Sequence, residues 1–288
     1  MPELPEVETI RSQLAPSIEG GVLAELTVLD PRWCAPLAPV DLAAAVEDRR
    51  VHALGRRGKY LVWELAGELF LICHLRMTGT LLLDPHTVPA HTRVRMRLAS
   101  GRTVLFVDPR RFGTGQLASG RADLEAFMAA RLGVEPLGSD FTAERLGAQA
   151  RGRRAPVKAF LLDQRRLAGV GNIYADEALF RARIHPLRPA GSLTARQWAR
   201  LRDAVVAVLR AGVRAGGATI DDFRGVDGVR GSFQNEFLVH RRAGEPCPAC
   251  GASIVKFLAA GRGTYACERC QPRPRARPRP RSGRLGAR

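Results

Sequence analysis

No apolar stretch in this chain is long enough to cross a bilayer. The longest runs, such as Leu69-Phe70-Leu71-Ile72-Cys73, fall far short of the ~20 residues that a spanning helix needs. The N-terminus is acidic and has no basic segment leading into an apolar one, so no secretory signal is visible. A soluble intracellular protein, not attached to a membrane, is expected. Lysine is almost missing: Lys59, Lys158 and Lys256 are the only three among 45 basic residues. That bias reads as genomic composition, but a lysine that survives it marks a place where a compact ammonium serves better than a guanidinium fork. Internal repeats are absent too, which excludes solenoid and propeller architectures.

Arginine, by contrast, is abundant. The formal charge is +17, against only 28 acidic residues. Residues 271–288 hold seven arginines and no acid, so the rest of the chain still carries +10. A basic body of this kind calls for a polyanionic partner, nucleic acid first. The 288 residues suffice for two modest domains with cores of their own.

Residues 5–18 space Val7, Ile10, Leu14 and Ile18 on one helical stripe. From 22 to about 118 the pattern is strand-like. Arg93 to Leu98 alternates strictly, which predicts a strand with one basic and one apolar face, and Ser100-Gly101 turns it into Thr103–Val107. The turn-rich stretch 131–142 marks a boundary, and helical periods follow near 142–150, 156–164, 173–183 and 194–215, with Thr194 as a cap. A glycine-rich loop covers 216–235. The expected organisation is a β-rich unit over 1–135, a helical unit over 136–235, a cysteine-bearing segment over 236–271 and a disordered Arg/Pro tail over 272–288.

The cysteines give the sharpest local signal. Cys247 and Cys250, then Cys267 and Cys270, form two C-x-x-C pairs sixteen residues apart, the spacing of a tetrahedral zinc site. Four thiolates close the coordination sphere, so this zinc is structural. Cys34 and Cys73 read as buried small hydrophobes. Between the pairs, Gly261-Arg262-Gly263 predicts a hairpin tip whose arginine either touches phosphate or is simply solvated.

Three further stretches have two readings each. Trimming Met1 would leave Pro2 as a secondary amine beside the Glu3 carboxylate. An α-amine titrates near ~8 and a lysine near ~10.4, so such an amine is a far better nucleophile at neutral pH. The same residues also make an ordinary helix start, with Pro5 in the first turn and acids at the positive end of the dipole. Gly169-Val170-Gly171-Asn172 either clamps phosphate at a helix N-terminus or is a plain turn between packed helices. Met77 and Asp108-Pro109-Arg110-Arg111-Phe112-Gly113 either enter a duplex or contribute to a core.

Taken in order, the Met-Pro-Glu-Leu-Pro-Glu start, Gly58-Lys59-Tyr60-Leu61, His74-Leu75-Arg76-Met77-Thr78-Gly79, Asp108–Gly113, Gly169–Glu177 with Ile184-His185-Pro186, and the four-cysteine segment resemble the bacterial formamidopyrimidine-DNA glycosylase family over about residues 1–271. The resemblance implies an α+β protein: an N-terminal β-sandwich with a leading helix, a helix–two-turn–helix domain and a zinc finger, with DNA in the cleft between domains. It implies Pro2 as nucleophile, Glu3 as general acid/base and Lys59 beside the scissile nucleotide. Asn172 and Arg262 would grip flanking phosphates, with Lys158 a further DNA contact. Met77, Arg110 and Phe112 would fill the gap left by a flipped nucleotide. The loop 216–235 sits where the family folds a lid. His240-Arg241-Arg242 departs from the family's Tyr-Gly-Arg.

The implied activity is that of a monomeric, cytoplasmic, nucleoid-associated DNA repair enzyme. It would release 8-oxoguanine and formamidopyrimidines from duplex DNA and cut the strand by β,δ-elimination, with one structural zinc and no other cofactor. Two alternatives fit the same motifs: an endonuclease VIII-like enzyme for oxidised pyrimidines, and a zinc-ribbon DNA-binding protein without catalysis.

Overall fold

The computed structural model describes residues 1–220 and 223–274. The tail from 275 onward and the pair 221–222 of the glycine-rich loop lie outside the described residues. Helix α1 spans Leu4–Ile18. Eight antiparallel strands follow: β1 (Val22–Val28), β2 (Arg49–Arg57), β3 (Tyr60–Leu65), β4 (Leu69–His74), β5 (Thr80–Leu83), β6 (Thr92–Leu98), β7 (Thr103–Val107) and β8 (Thr114–Ser119). Their order in the sheet is β5-β7-β6-β1-β2-β3-β4-β8.

The expected sandwich is one hydrogen-bonded sheet folded over at a narrow seam. β1 and β2 pair only through Val22↔Arg50 and Leu23↔Arg49, whereas ladders run to five pairs within one half and six within the other. Both halves bury side chains in one core: Val94, Met96 and Phe106 from one, Leu54, Trp63 and Leu71 from the other. β6 keeps the alternation read from its sequence, with Val94, Met96 and Leu98 inside and Arg93, Arg95 and Arg97 turned outward. The unbroken apolar run of β4 has a separate cause. Leu71 and Cys73 face the sandwich core, while Phe70 and Ile72 face a smaller cluster under the helix α3 (Arg121–Ala129).

Two helices in this unit were not expected, α3 and α2 (Pro39–Val46). The helical unit then comprises α4 (Ala143–Ala150), α5 (Val157–Leu162), α6 (Asn172–Arg181) and α7 (Ala195–Arg214). Thr194 caps α7 as expected, in a capping box with Gln197. A hairpin of β9 (Val255–Ala259) and β10 (Arg262–Ala266) ends the described chain.

α1 is a peg shared by two cores. Val7, Ile10, Leu14 and Ile18 are fully buried in the sandwich, each contributing roughly 1.5–3 kcal/mol of burial. Leu4, one turn earlier, is buried in the core of the helical unit with Val134, Val170 and Tyr174. The chain terminus is therefore held between the two units.

Candidate active site and nucleic-acid cleft

A cleft of about 630 Å³ opens at this junction, lined by Pro2, Glu3, Lys59, Met77, Arg110, Asn172, His240, Lys256 and Arg262. Its floor is the N-terminus, which three contacts hold in place. The Leu4 N–H donates to the Gly169 carbonyl at 3.0 Å. The Glu3 N–H donates to Glu6 Oε2 at 2.8 Å, closing a capping box on α1. Glu3 Oε1 accepts from the Ile173 N–H at 3.1 Å, at the positive end of α6. Glu3 Oε2 is buried with no hydrogen-bond partner.

This contact explains the Gly-Val-Gly signal. A Cβ on Gly171 would overlap the Glu3 carboxylate, so glycine there admits the N-terminal chain. Gly171 is also the residue that caps α6. Asn172 is the first residue inside the helix. Its Nδ2 donates to the Gly263 carbonyl of the finger hairpin at 3.0 Å. The second hydrogen of that amide remains for an anion.

Glu6, read from sequence only as a helix-start acid, is a buried hub. Oε1 accepts from the Tyr174 hydroxyl and from the Ala218 N–H at the root of the glycine-rich loop, both at 2.7 Å. Burial first, and then the neighbouring Glu3, raise its pKa above the usual carboxylate range. Burial also holds the Tyr174 phenol well above its ordinary value, so it stays a donor. The glycine-rich loop is anchored on both sides of the cleft. Ala218 bridges Ser232 at its root. Further on, Leu83 of the edge strand β5 donates to the Val226 carbonyl, and Gln13 of α1 accepts from the Val226 N–H.

Lys59 is the second residue of the β2–β3 turn and is 4% exposed. Burial lowers its pKa, opposed by Glu3 and Glu6, which favour the ammonium. Met77 and Arg110 sit on neighbouring loops tied together by the buried Asp108. The Asp108 carboxylate accepts from the Thr78 hydroxyl and from the N–H groups of Arg110 and Gly113. Phe112 is 52% exposed, and the Arg110 guanidinium lies over its ring at 4.9 Å. The core reading of Phe112 is thereby excluded: it projects from the surface beside Arg110.

Two expectations are corrected. Lys158 does not face the cleft. It is fully buried, paired with Asp176 at 2.7 Å and donating to Thr264 Oγ1 at 2.8 Å and to the Gly263 carbonyl at 3.3 Å. It fastens the finger hairpin to α6, so nothing of its ammonium is left for DNA. Arg262 is not at the hairpin tip either. Ala260 and Gly261, both at positive φ, form the tight turn, and Arg262 opens β10 opposite Ala259.

Sequence reasoning also missed three residues. Asp176 is ion-paired with Lys158 through one oxygen and contacts His240 Nδ1 at 2.9 Å through the other. Lys256 lines the cleft, so all three lysines gather on or behind its walls. The scarcity of lysine was the signal that could have found Lys256. His74 ends β4 beside Tyr60, with ring centroids 4.5 Å apart, and its Nδ1 accepts from the Arg76 N–H.

Cys247, Cys250, Cys267 and Cys270 bring their sulfurs within 4.8 Å of one another, unpaired by any disulfide. A sulfur tetrahedron around zinc at ~2.3 Å has edges of roughly 3.8 Å. The Sγ–Sγ contacts of 3.9 and 3.4 Å bracket that edge. The four thiolates form a structural zinc site, closed to substrate.

An open cleft floored by a chain terminus, flanked by a helix–turn–helix and a zinc-bearing hairpin and rich in cations, defines a nucleic-acid-processing protein. Three family models match in chain order: the formamidopyrimidine-DNA glycosylase N-terminal domain over 1–115, its H2TH domain over 132–224, and the zinc finger found in FPG and IleRS over 244–273. The formamidopyrimidine-DNA glycosylase of Roseiflexus sp. is 45% identical over 276 residues, spanning 94% of this chain and all of the relative. The crystal structure of the MutM (Fpg) protein from Thermus thermophilus is 44% identical with a TM-score of 0.84, over 94% of this chain and 98% of that one. A Lactococcus lactis FPG variant in complex with Fapy-dG-containing DNA is 34% identical with a TM-score of 0.88, over 94% and 100%. The chain belongs to the formamidopyrimidine-DNA glycosylase family.

Proposed function

We propose that this protein is a bifunctional DNA glycosylase and lyase of base excision repair, acting on oxidised purines in duplex DNA. The observation that carries this reading is the N-terminus on the cleft floor, with Glu3 offering one unpartnered carboxylate oxygen beside Pro2. Removal of Met1 frees the Pro2 nitrogen. The damaged nucleotide swings out of the stack, because its glycosidic carbon is unreachable inside the duplex. The Pro2 nitrogen forms a bond to C1′ as the C1′–base bond breaks, and Glu3 moves protons at the sugar. The bonded amine gives up its proton, the C1′–O4′ bond then breaks as Glu3 protonates O4′, and the ring-opened iminium that results has no N–H to lose and stays cationic. It draws electrons from the sugar, so loss of the C2′ proton expels the 3′ phosphate, and a second elimination expels the 5′ phosphate.

The other side chains at the cleft take the remaining roles. Lys59 and Arg262 supply positive charge at the scissile strand, and Asn172 donates to a phosphate through its free amide hydrogen. Met77, Arg110 and Phe112 occupy the vacated space, Arg110 facing the orphaned base. The enzyme works as a monomer on the nucleoid in the cytoplasm, with no membrane attachment. Zinc supplies rigidity to the hairpin and takes no part in bond making.

Borohydride trapping on a duplex with 8-oxoguanine opposite cytosine tests this directly. A covalent adduct is expected, lost when Pro2 is replaced or the N-terminus is blocked. An adduct that survives blocking overturns the Pro2 assignment. Faster processing of thymine glycol than of 8-oxoguanine would make the protein an oxidised-pyrimidine enzyme instead. Salt-sensitive binding without cleavage would make it a binding module.

A further inference from the structure

The turn that presents Lys59 is clamped by a residue of the strip that joins the two units. Glu135 lies in that strip, next to Val134, which is buried in the core of the helical unit. Its Oε2 accepts from the Gly58 N–H at 2.9 Å and from Arg57 Nη1 at 3.1 Å. Its Oε1 accepts from Arg56 Nη1 at 2.5 Å, and the same Nη1 donates to the Gly58 carbonyl at 3.0 Å. Arg57 Nη2 donates to the Gly133 carbonyl at 2.7 Å. The turn that carries Lys59 is thus tied, directly or through Arg56, to one carboxylate.

The fit is steric as well as polar. Gly58 sits at φ +57, where glycine is the natural occupant, and a Cβ there would press on Leu132 at 3.2 Å and Ala168 at 3.3 Å. The strip that carries Glu135 is itself bonded to the turn between α5 and α6. Gly133 N–H donates to the Gln164 carbonyl, Val134 N–H to the Arg166 carbonyl, and Ala168 N–H to the Val134 carbonyl. The next residue of that turn, Gly169, accepts from Leu4 N–H. One short strip therefore sets both the Lys59 turn and the terminus that bears Pro2 and Glu3.

We propose that Glu135 is a positioning residue for catalysis: by clamping the Arg56–Gly58 turn it fixes the Lys59 ammonium relative to Pro2 and Glu3. It touches no substrate. The inference rests on the function proposed above, in which Lys59 serves the scissile nucleotide. A Lys59 whose turn is loose would sample positions an ångström or more away, and displacement on that scale costs about tenfold to a hundredfold in rate.

The test is a double-mutant cycle on the full zinc-loaded protein, read as single-turnover base release from a duplex with 8-oxoguanine opposite cytosine. Glu135→Gln keeps the shape and removes the charge. A loss of about tenfold or more is expected with Lys59 present, and less than about twofold in a Lys59→Ala background. Gly58→Ala, which displaces the same turn without changing charge, should show the same dependence on Lys59 and serves if Glu135→Gln folds poorly. Glu8→Gln cuts the Arg56 cluster on its far side, where Glu8 Oε2 accepts from Arg56 Nε at 2.8 Å. It should lower the melting temperature and leave the rate within about twofold. Additive losses for Glu135→Gln and Lys59→Ala, or full activity of Lys59→Ala, overturn the inference alone. No turnover by the unsubstituted protein overturns the proposed function and the inference with it.

Discussion

His74 Nδ1 accepts the Arg76 N–H, so the neutral ring carries its proton on Nε2 and props a turn in which Arg76 adopts φ +55 ahead of Met77. Burial first, then the charges of Arg76 and Lys59, push its pKa down from 6.5 to about 3. The unfolded chain therefore takes up a proton below pH 6.5 that the folded state refuses. Stability from this residue is complete above 6.5 and falls with pH until about 3. The shift corresponds to several kcal/mol across that window. His74→Asn places Oδ1 where Nδ1 accepts and does not titrate. Urea unfolding between pH 7 and pH 3.5 should show a shallower decline for His74→Asn than for the parent, and parallel curves would contradict the assignment. Glu3, Pro2 and the cysteines were legible as chemistry because their side chains announce it. Glu6, Asp108 and Asp176 were not, because a carboxylate becomes structural only when folding removes its water and surrounds it with donors.

At the scale of elements, the finger hairpin depends on its neighbours. Two strands alone are marginal in water. Zinc closes one end, and Lys158, Thr264 and Asn172 Nδ2 fasten the other to α6. Neither of the two large cores includes a residue of this hairpin. Removal of zinc by a chelator should therefore abolish duplex binding while circular dichroism of the remaining helices and sheet stays nearly unchanged. A global loss of structure would show that the cores need the finger. Among the elements, α7 was plain from its period and Thr194 cap. α2 escaped because its eight residues, inside a strand-rich region, carry too short a period to compete with their surroundings, although proline at its first position was a helix signal.

For the whole molecule, charge operates at a distance that individual contacts do not reach. The body keeps +10 without the segment 271–288. Deletion after Gln271 should weaken non-specific duplex binding and flatten its salt dependence, because fewer counterions are released. Single-turnover cleavage should stay within about twofold, since the cleft residues are all present. A large loss of cleavage would show that the deleted segment reaches the site. Binding titrations across a range of salt concentrations, run beside single-turnover assays, separate the two effects.

The sequence by itself determined the basic partner surface, the zinc-binding thiolates, the amphipathic stripe of α1 and the chemistry available at Pro2 and Glu3. All of these depend on residue type and spacing within one segment. Tertiary structure decided which cations face the cleft and which are spent inside. Lys158 and Lys59 are alike in composition, and both are buried, but one meets Asp176 and the other meets open cleft. It also decided that, of the glycines before α6, Gly171 admits the Glu3 side chain and Gly169 the Leu4 side chain. Such outcomes rest on groups far apart in the chain, whose distances and desolvation arise only when two cores close on the same helix.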